Sequence, residues 1–303
     1  MSVKAWKKII SISVALLLLF LTILTLFFGI GYFRYAKTVK ASTIVDMSAY
    51  GCSSSEDMAN LFKYLKNIKV DGTISYQEKY ENLYIDNDFN FTPLDENKKV
   101  CYLTFDDGPN TEVTPEVLDI LKEYGVKATF FVIYRNGEEE KALYKRIVDE
   151  GHTLGIHTAS HNYTQIYSSV EAYLEDFSKI SDHLEEVTGV KPEIFRFPGG
   201  SVNSYNKSVY QQIIVEMIRR GYVYYDWNYS SGDASGPGVS EAEIIDNVLS
   251  GDSSSPKKIL LCHDGPGHQN TAEALPEIIE GLTDQGYTFE ALDNTVSPVC
   301  FGY

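Results

Sequence analysis

Val100-Cys-Tyr-Leu-Thr-Phe-Asp-Asp-Gly-Pro109 sets a run of strand character directly against two adjacent carboxylates and a turn. Neighbouring side chains on a strand point to opposite faces, so Asp106 and Asp107 can share a site only where the strand ends. Gly108-Pro109 supplies the turn that ends it. Fifty residues on, His157-Thr-Ala-Ser-His161 closes a second short apolar run. Its i, i+4 spacing predicts both imidazoles on one side of a helical turn. Two imidazoles, one carboxylate ligand and one spare carboxylate are the parts of a mononuclear metal hydrolase, whose three protein ligands leave a position for water. Taken singly, an Asp-Asp-Gly is a surface turn and a His-x-x-x-His a solvated helix face.

Both motifs directly follow strand-like runs, however, and three further polar groups repeat that placement. They are Arg196 in Ile194-Phe-Arg-Phe-Pro-Gly-Gly200, Asp226 in Tyr222-Val-Tyr-Tyr-Asp-Trp227, and His263 in Lys258-Ile-Leu-Leu-Cys-His-Asp-Gly265. Helical patterns separate the runs, at 115–124, 139–150, 170–188, 207–220, 241–249 and 271–285. Val117, Ile120, Leu121 and Tyr124 have the spacing of a helix covering a sheet. Strands alternating with helices predict an α/β fold with a parallel sheet, here a distorted (β/α)7-8 barrel. In such barrels the chemistry gathers at the carboxyl ends of the strands, where all five motifs fall.

Residues from about 98 to 292 resemble a polysaccharide deacetylase domain of carbohydrate esterase family 4, the chitooligosaccharide deacetylase homology domain. The resemblance rests on Thr104-Phe-Asp-Asp-Gly-Pro109 followed by His157-Thr-Ala-Ser-His161, with the three later motifs in order. It implies hydrolysis of the N-acetyl group of β-1,4-linked amino sugars. By position, Asp106 resembles the catalytic base, and Asp107, His157 and His161 resemble the ligands of one divalent ion. Zinc is the expected ion, with cobalt, manganese or nickel as alternatives. Arg196 resembles the residue that holds the base, His263 the general acid, and Asp226 the carboxylate paired with that acid. Trp227 and Leu261 match positions enclosing the acetyl methyl group. Gly199 stands where relatives often carry Tyr. Its backbone N–H keeps the implied oxyanion contact while the ring is lost.

The other histidines carry less. His152 lies at a helix-to-strand turn, His183 among Asp182, Glu185 and Glu186 on a solvent face, and His268 in a glycine-flanked surface loop.

The 25 residues from Ile9 to Phe33 carry no charge, enough to span a bilayer as a helix. The stretch exceeds the 7–15-residue apolar region of a cleavable signal and lacks an Ala-x-Ala site, so an uncleaved signal anchor is expected. Three basic residues on either side leave orientation open, and the sugar chemistry puts the catalytic domain outside the cell. The expected organisation is a stub and anchor over 1–40, a stalk or membrane-proximal linker over 41–96 with a helix near 56–68, and the catalytic domain over 97–303.

Beyond residue 40 there are 20 basic and 42 acidic residues, net −22. That excludes a nucleic-acid partner and a basic grip on anionic polymers. Cys52, Cys101, Cys262 and Cys300 permit disulfides in an exported domain without fixing their pairing. The expectation is a monomeric, membrane-anchored peptidoglycan N-acetylglucosamine deacetylase. N-acetylmuramic acid, chitin-like, poly-N-acetylglucosamine and acetylxylan substrates are alternatives within the class, and a non-catalytic glycan-binding protein is the alternative outside it.

Overall fold

The computed structural model describes residues 54–67, 76–236 and 238–301. The predicted anchor over 9–33 and Cys52 lie outside them. Among the described residues no helix is long and apolar enough to cross a membrane.

The strands are β1 (Lys99–Asp106), β2 (Thr129–Ile133), β3 (Thr153–Thr158), β4 (Ile194–Phe195), β5 (Val223–Tyr224), β6 (Tyr229–Ser230), β7 (Lys257–His263) and β8 (Tyr287–Phe289). All pair in parallel, in the order β5-β4-β3-β2-β1-β7-β6, with β8 beside the start of β1. The helices are α1 (Ser55–Lys66), α2 (Val113–Glu123), α3 (Glu138–Asp149), the single turn α4 (Tyr163–Ile166), α5 (Val170–Thr188), α6 (Tyr210–Arg219), α7 (Glu241–Leu249) and α8 (Gln269–Asp284).

Chain length forces the sheet to curl. Laid flat, its two edge strands β5 and β6 would stand about 29 Å apart, six strand spacings of about 4.8 Å. Only residues 225–228 connect them, and five residue steps reach at most about 18 Å. The strands therefore wrap into a curled half-barrel, the coarser form of the barrel expected from the alternating pattern. The short strands at the gap leave it to other groups to seal. There the Asp226 N–H donates to Val299 O at 2.8 Å, so a C-terminal segment lies against the opening.

The long helices follow the apolar periodicity. In α5, Ser169 caps the amino end by accepting from Ala172 N, and Gly189 closes the other end at φ +74°. Its buried face is Tyr173, Leu174, Phe177, Ile180 and Leu184, recurring at three and four residues. Part of the segment expected as a stalk packs with the barrel. Phe62 of α1 is fully buried, stacked 6.1 Å from Tyr224 and edge-on to Phe89 and Phe91.

His183 differs from its expected solvent position. The residue is 8% exposed, its ring packs 4.4 Å from Tyr134, and its Nε2 lies 2.7 Å from Arg135 O. Asp182 and Glu185, beside it in sequence, are on other faces of α5, while Ile180, a turn before it, shares its buried face. Cys101 and Cys262, on β1 and β7, are buried free thiols.

Candidate active site

Register delivers the site. Asp106 ends β1 opposite His263, which ends β7, and opposite Phe131 of β2. His157 is the penultimate residue of β3, and Arg196 directly follows β4. One rim of the half-barrel thus collects Asp106, His157, Arg196 and His263.

Asp107 and His161 reach the same place through irregular backbone. Both are non-glycine residues in the left-handed region, at φ +74° and +51°. The pair His157/His161 is therefore not the helical turn that its spacing suggested. His157 is on the strand and His161 on the loop behind it. That loop is shaped by Asp176 of α5, whose carboxylate accepts from the Thr158 hydroxyl, from Ala159 N at 2.6 Å and from Ser160 N at 2.9 Å. Nothing in local sequence connects Asp176 with the motif 15 residues before it, and only its placement on the packed helix reveals the contact.

The Asp107 carboxylate lies 3.2 Å from His161 Nε2 and 3.5 Å from His157 Nε2. Its Oδ1 is buried and makes no hydrogen bond among the described residues. His157 Nδ1 lies 2.8 Å from Arg196 O, so it carries the proton and leaves the Nε2 lone pair facing Asp107. Burial pushes the His157 pKa down to about 3, outweighing the nearby Asp107 charge, so the ring is neutral. An orphaned carboxylate oxygen facing two imidazole nitrogens, one of them held neutral, fits a divalent ion.

Asp106 sits beside this cluster, 3% exposed, with its Oδ2 4.0 Å from His157 Nε2. Burial raises its pKa, and Arg196 pulls in the opposite direction. Arg196 is fully buried and holds four partners: Asp106 Oδ1 (2.8 Å), Thr104 Oγ1 (2.7 Å), Tyr225 O (2.9 Å) and Asp226 O (3.3 Å). The guanidinium also lies 4.3 Å over the Phe131 ring, so its position is fixed on every side.

The partner of His263 requires a correction. Asp226 does not reach it. The Asp226 carboxylate accepts from Ser201 N (2.8 Å), Ser201 Oγ (2.5 Å) and Phe301 N (2.5 Å), which ties the C-terminal segment to the rim. Asp233 pairs with His263 instead, with Oδ1 2.8 Å from Nδ1 and Oδ2 accepting the His263 N–H at 2.7 Å. Asp226 directly follows an apolar run and so looked like a strand-end residue. Asp233 lies seven residues on, in a Ser/Gly-rich loop beyond the two-residue strand β6, without periodic signal. Burial alone would lower the His263 pKa. The Asp233 hydrogen bond and charge, with Asp106 and Asp107, reverse that and raise it to about 9.

The expected substrate contacts are only partly gathered. Gly199 has φ +73°, and its N–H makes no hydrogen bond among the described residues. A Cβ there would meet the Tyr163 ring at 2.8 Å. Tyr163 thus covers the face of Gly199, edge-on to His161 at 5.2 Å and beside Tyr205, which is 59% exposed. Burial, then Asp107 and Asp106, push the Tyr163 pKa up to about 12, so its phenol stays a donor. Leu261 is buried on β7 opposite Thr104. Trp227 is half-buried against Phe301. His268, placed at the surface by the sequence, stacks 5.0 Å from the His263 ring.

A parallel half-barrel with a caged carboxylate, an Asp/His/His cluster and an Asp-held imidazole on one rim is the framework of a hydrolase. Residues 94–218 match the family model for polysaccharide deacetylase. A peptidoglycan-N-acetylglucosamine deacetylase of Bacillus cereus is 34% identical over 198 residues, covering 64% of this chain and 69% of that one. A bifunctional xylanase/deacetylase of Pseudobutyrivibrio xylanivorans is 37% identical over 196 residues, 64% of this chain and 30% of that one. The crystal structure of the catalytic domain of a peptidoglycan N-acetylglucosamine deacetylase from Eubacterium rectale superposes with a TM-score of 0.61 at 38% identity, covering 67% of this chain and 91% of that one. The chain belongs to the polysaccharide deacetylase family, carbohydrate esterase family 4.

Proposed function

We propose that this protein hydrolyses the N-acetyl group of N-acetylglucosamine in peptidoglycan, releasing acetate and leaving a free amine on the glycan. The observation that carries it is the gathering on one rim of Asp106, clamped by Arg196, and His263, held by Asp233, with the Asp107/His157/His161 cluster. A pure binding protein has no use for a buried, oriented carboxylate next to a candidate metal site.

Asp107, His157 and His161 would hold the divalent ion, with zinc favoured by one carboxylate and two imidazoles. When bound, it supplies Lewis acidity that polarises the acetyl carbonyl and acidifies a water. Asp106 takes the proton of the attacking water, with Arg196 fixing which oxygen faces it. The unengaged N–H of Gly199 offers a donor to the developing oxyanion. His263, protonated at neutral pH because of Asp233, gives its proton to the departing nitrogen. An amide needs that donor because its amine leaves poorly as an anion.

Similarity to peptidoglycan deacetylases favours that glycan, and the net acidic domain suits a substrate that is not polyanionic. The relative with xylanase activity keeps acetylated xylan, an ester, as the competing substrate. Incubating muropeptides and acetylated xylan with the protein, and reading the products by mass spectrometry, separates them. A loss of 42 Da per N-acetylglucosamine, the mass of one acetyl replaced by hydrogen (about 42 Da by composition), is expected. Release from xylan alone would reject the assignment.

The uncharged stretch from Ile9 to Phe33 supports a single-pass anchor with the catalytic domain outside the cell. The native protein is then expected in the membrane fraction after a high-salt wash, with its amino terminus near Met1.

A further inference from the structure

We propose that Asp233, His263 and His268 form a second divalent-cation site whose occupation switches the enzyme off. It rests on the assignment of His263 as the general acid, because an ion on Nδ1 takes the place of one imidazolium proton and leaves the Nε2 proton on a metal-bound imidazole, a much weaker acid.

The three side chains each present one donor atom, and these atoms all lie within 4.8 Å of one another. Asp233 is the centre. Its Oδ1 meets His263 Nδ1 at 2.8 Å, and its Oδ2 stands 3.8 Å from His268 Nδ1. The two rings lie nearly parallel, 5.0 Å apart at 24°, so both Nδ1 edges turn toward the same carboxylate. Zinc takes such ligands at about 2.0–2.2 Å, which puts tetrahedral donors roughly 3.3–3.6 Å apart. The His268 contact must contract by a few tenths of an ångström and the His263 contact must widen by about 0.5–0.8 Å as the ion replaces its proton; the His268 ring, held only by stacking, is the freer partner. The ring makes no hydrogen bond among the described residues, whereas Asp233 is fixed by His263 N and Thr271 Oγ1.

Access is also present. A cavity of about 310 Å³ opens against Asp233 and His268, walled by Ala234, Gly236, Gly238 and Thr271. Glycine walls leave room for the water that would complete the coordination, and both Asp233 and His268 line the cavity. The opposing terms are identifiable. Helix α8 begins at Gln269, and the positive end of its dipole disfavours a cation. The ion must also displace the Nδ1 proton of His263, which passes to solvent as the new metal–nitrogen bond forms. The site is therefore weaker than the Asp107/His157/His161 site and fills only once that one is loaded. Because ion and proton compete for one nitrogen, binding tightens as pH rises.

The test is a zinc titration of the full chain, stripped and reloaded, reading bound zinc per chain and acetate release together. The first equivalent is expected to activate. A second is expected to bind more weakly and to lower the rate at least about tenfold, with a midpoint that moves to higher zinc as pH falls. His268→Ala is expected to keep its activity at one equivalent, and to need at least about tenfold more zinc for inhibition, having lost one of three ligands. His268→Asn, which keeps a polar group of similar reach, serves as the second variant if the first folds poorly. Saturation at one zinc without inhibition overturns the proposal, as does an unchanged inhibition midpoint in both folded variants. An inactive one-equivalent wild type would instead overturn the assignment of deacetylase function.

Discussion

The two halves of the site are built by different means. The half that holds Asp106, Asp107, His157 and His161 is assembled from the ends of adjacent strands and the first residues of the turns behind them. The half that holds His263 depends on a carboxylate from an irregular loop 30 positions away, with Thr271 from a helix steadying it. In the first, backbone register places the groups. In the second, side-chain hydrogen bonding does. Defects in the first half should therefore remove the reaction, while defects in the second should retune it.

Asp107→Asn and Asp106→Asn give the largest effects and split the first half. Asp107→Asn is expected to lose bound metal and activity together. Asp106→Asn is expected to keep its metal while the rate falls by about two to four orders of magnitude, the usual worth of one proton-transfer group. Metal analysis beside acetate release checks both. If Asp106→Asn also lost its metal, the separation of base from ligand would fail.

His263→Ala comes next, with a loss of about two to three orders of magnitude on an N-acetyl substrate and retained metal. An aryl acetate should be largely spared, because its leaving group departs as an anion. Equal losses on the two substrates would remove His263 from the acid role.

Asp233→Asn and Asp226→Asn then set the corrected pairing against the one expected from sequence. The raised His263 pKa means that its acid form predominates at neutral pH and is lost as pH rises through about 9. Bound metal adds positive charge nearby and brings that upper limit down. Asp233→Asn removes the group that raises the pKa, so the alkaline limb of kcat/KM should move at least about one unit toward acid. Asp226→Asn should leave that limb in place. Its cost is to stability, about 1–3 kcal/mol, because an amide cannot accept from Ser201 and Phe301 as the carboxylate does. Thermal unfolding and pH–rate profiles of both variants decide the matter.

The smallest effect belongs to Tyr163. Tyr163→Ala uncovers Gly199 and should raise KM for a glycan several-fold with little change in kcat. An aryl acetate, lacking sugar rings to stack, should not respond. A matching loss on both substrates would make Tyr163 a support for His161 rather than a sugar contact.

The same contrast explains what could be read from residues alone. The helix over 170–188 was legible to the residue because its apolar spacing, cap and terminal glycine all agree. Asp106 and Asp107 were legible because a strand, a turn and their chemistry fall within ten consecutive residues. His157 and His161 were found as a pair but given a helical turn, since i, i+4 spacing does not distinguish a helix from a strand end plus a left-handed loop. Asp233 and Asp176 escaped because hydrogen bonds to distant segments leave no period in the chain. The half-barrel rather than a closed ring follows from β4, β5 and β6, each two residues long: the runs holding β4 and β5 read as strands, but nothing in them showed how short those strands are.

The left-handed backbone at Asp107 bears on how this centre is dissected and redesigned. Alanine, the habitual deletion, adds a local conformational penalty of about 1 kcal/mol at φ +74°, and a β-branched residue fares worse. Glycine accepts that geometry freely. Asp107→Gly is therefore the substitution that erases the carboxylate while leaving the loop at rest, and it isolates what one oxygen contributes to ion affinity. The same constraint narrows the alphabet from which an altered metal preference can be selected. Asparagine, aspartate, histidine and glycine fit the backbone at this position, so a library restricted to them samples ligand chemistry without also sampling misfolded loops.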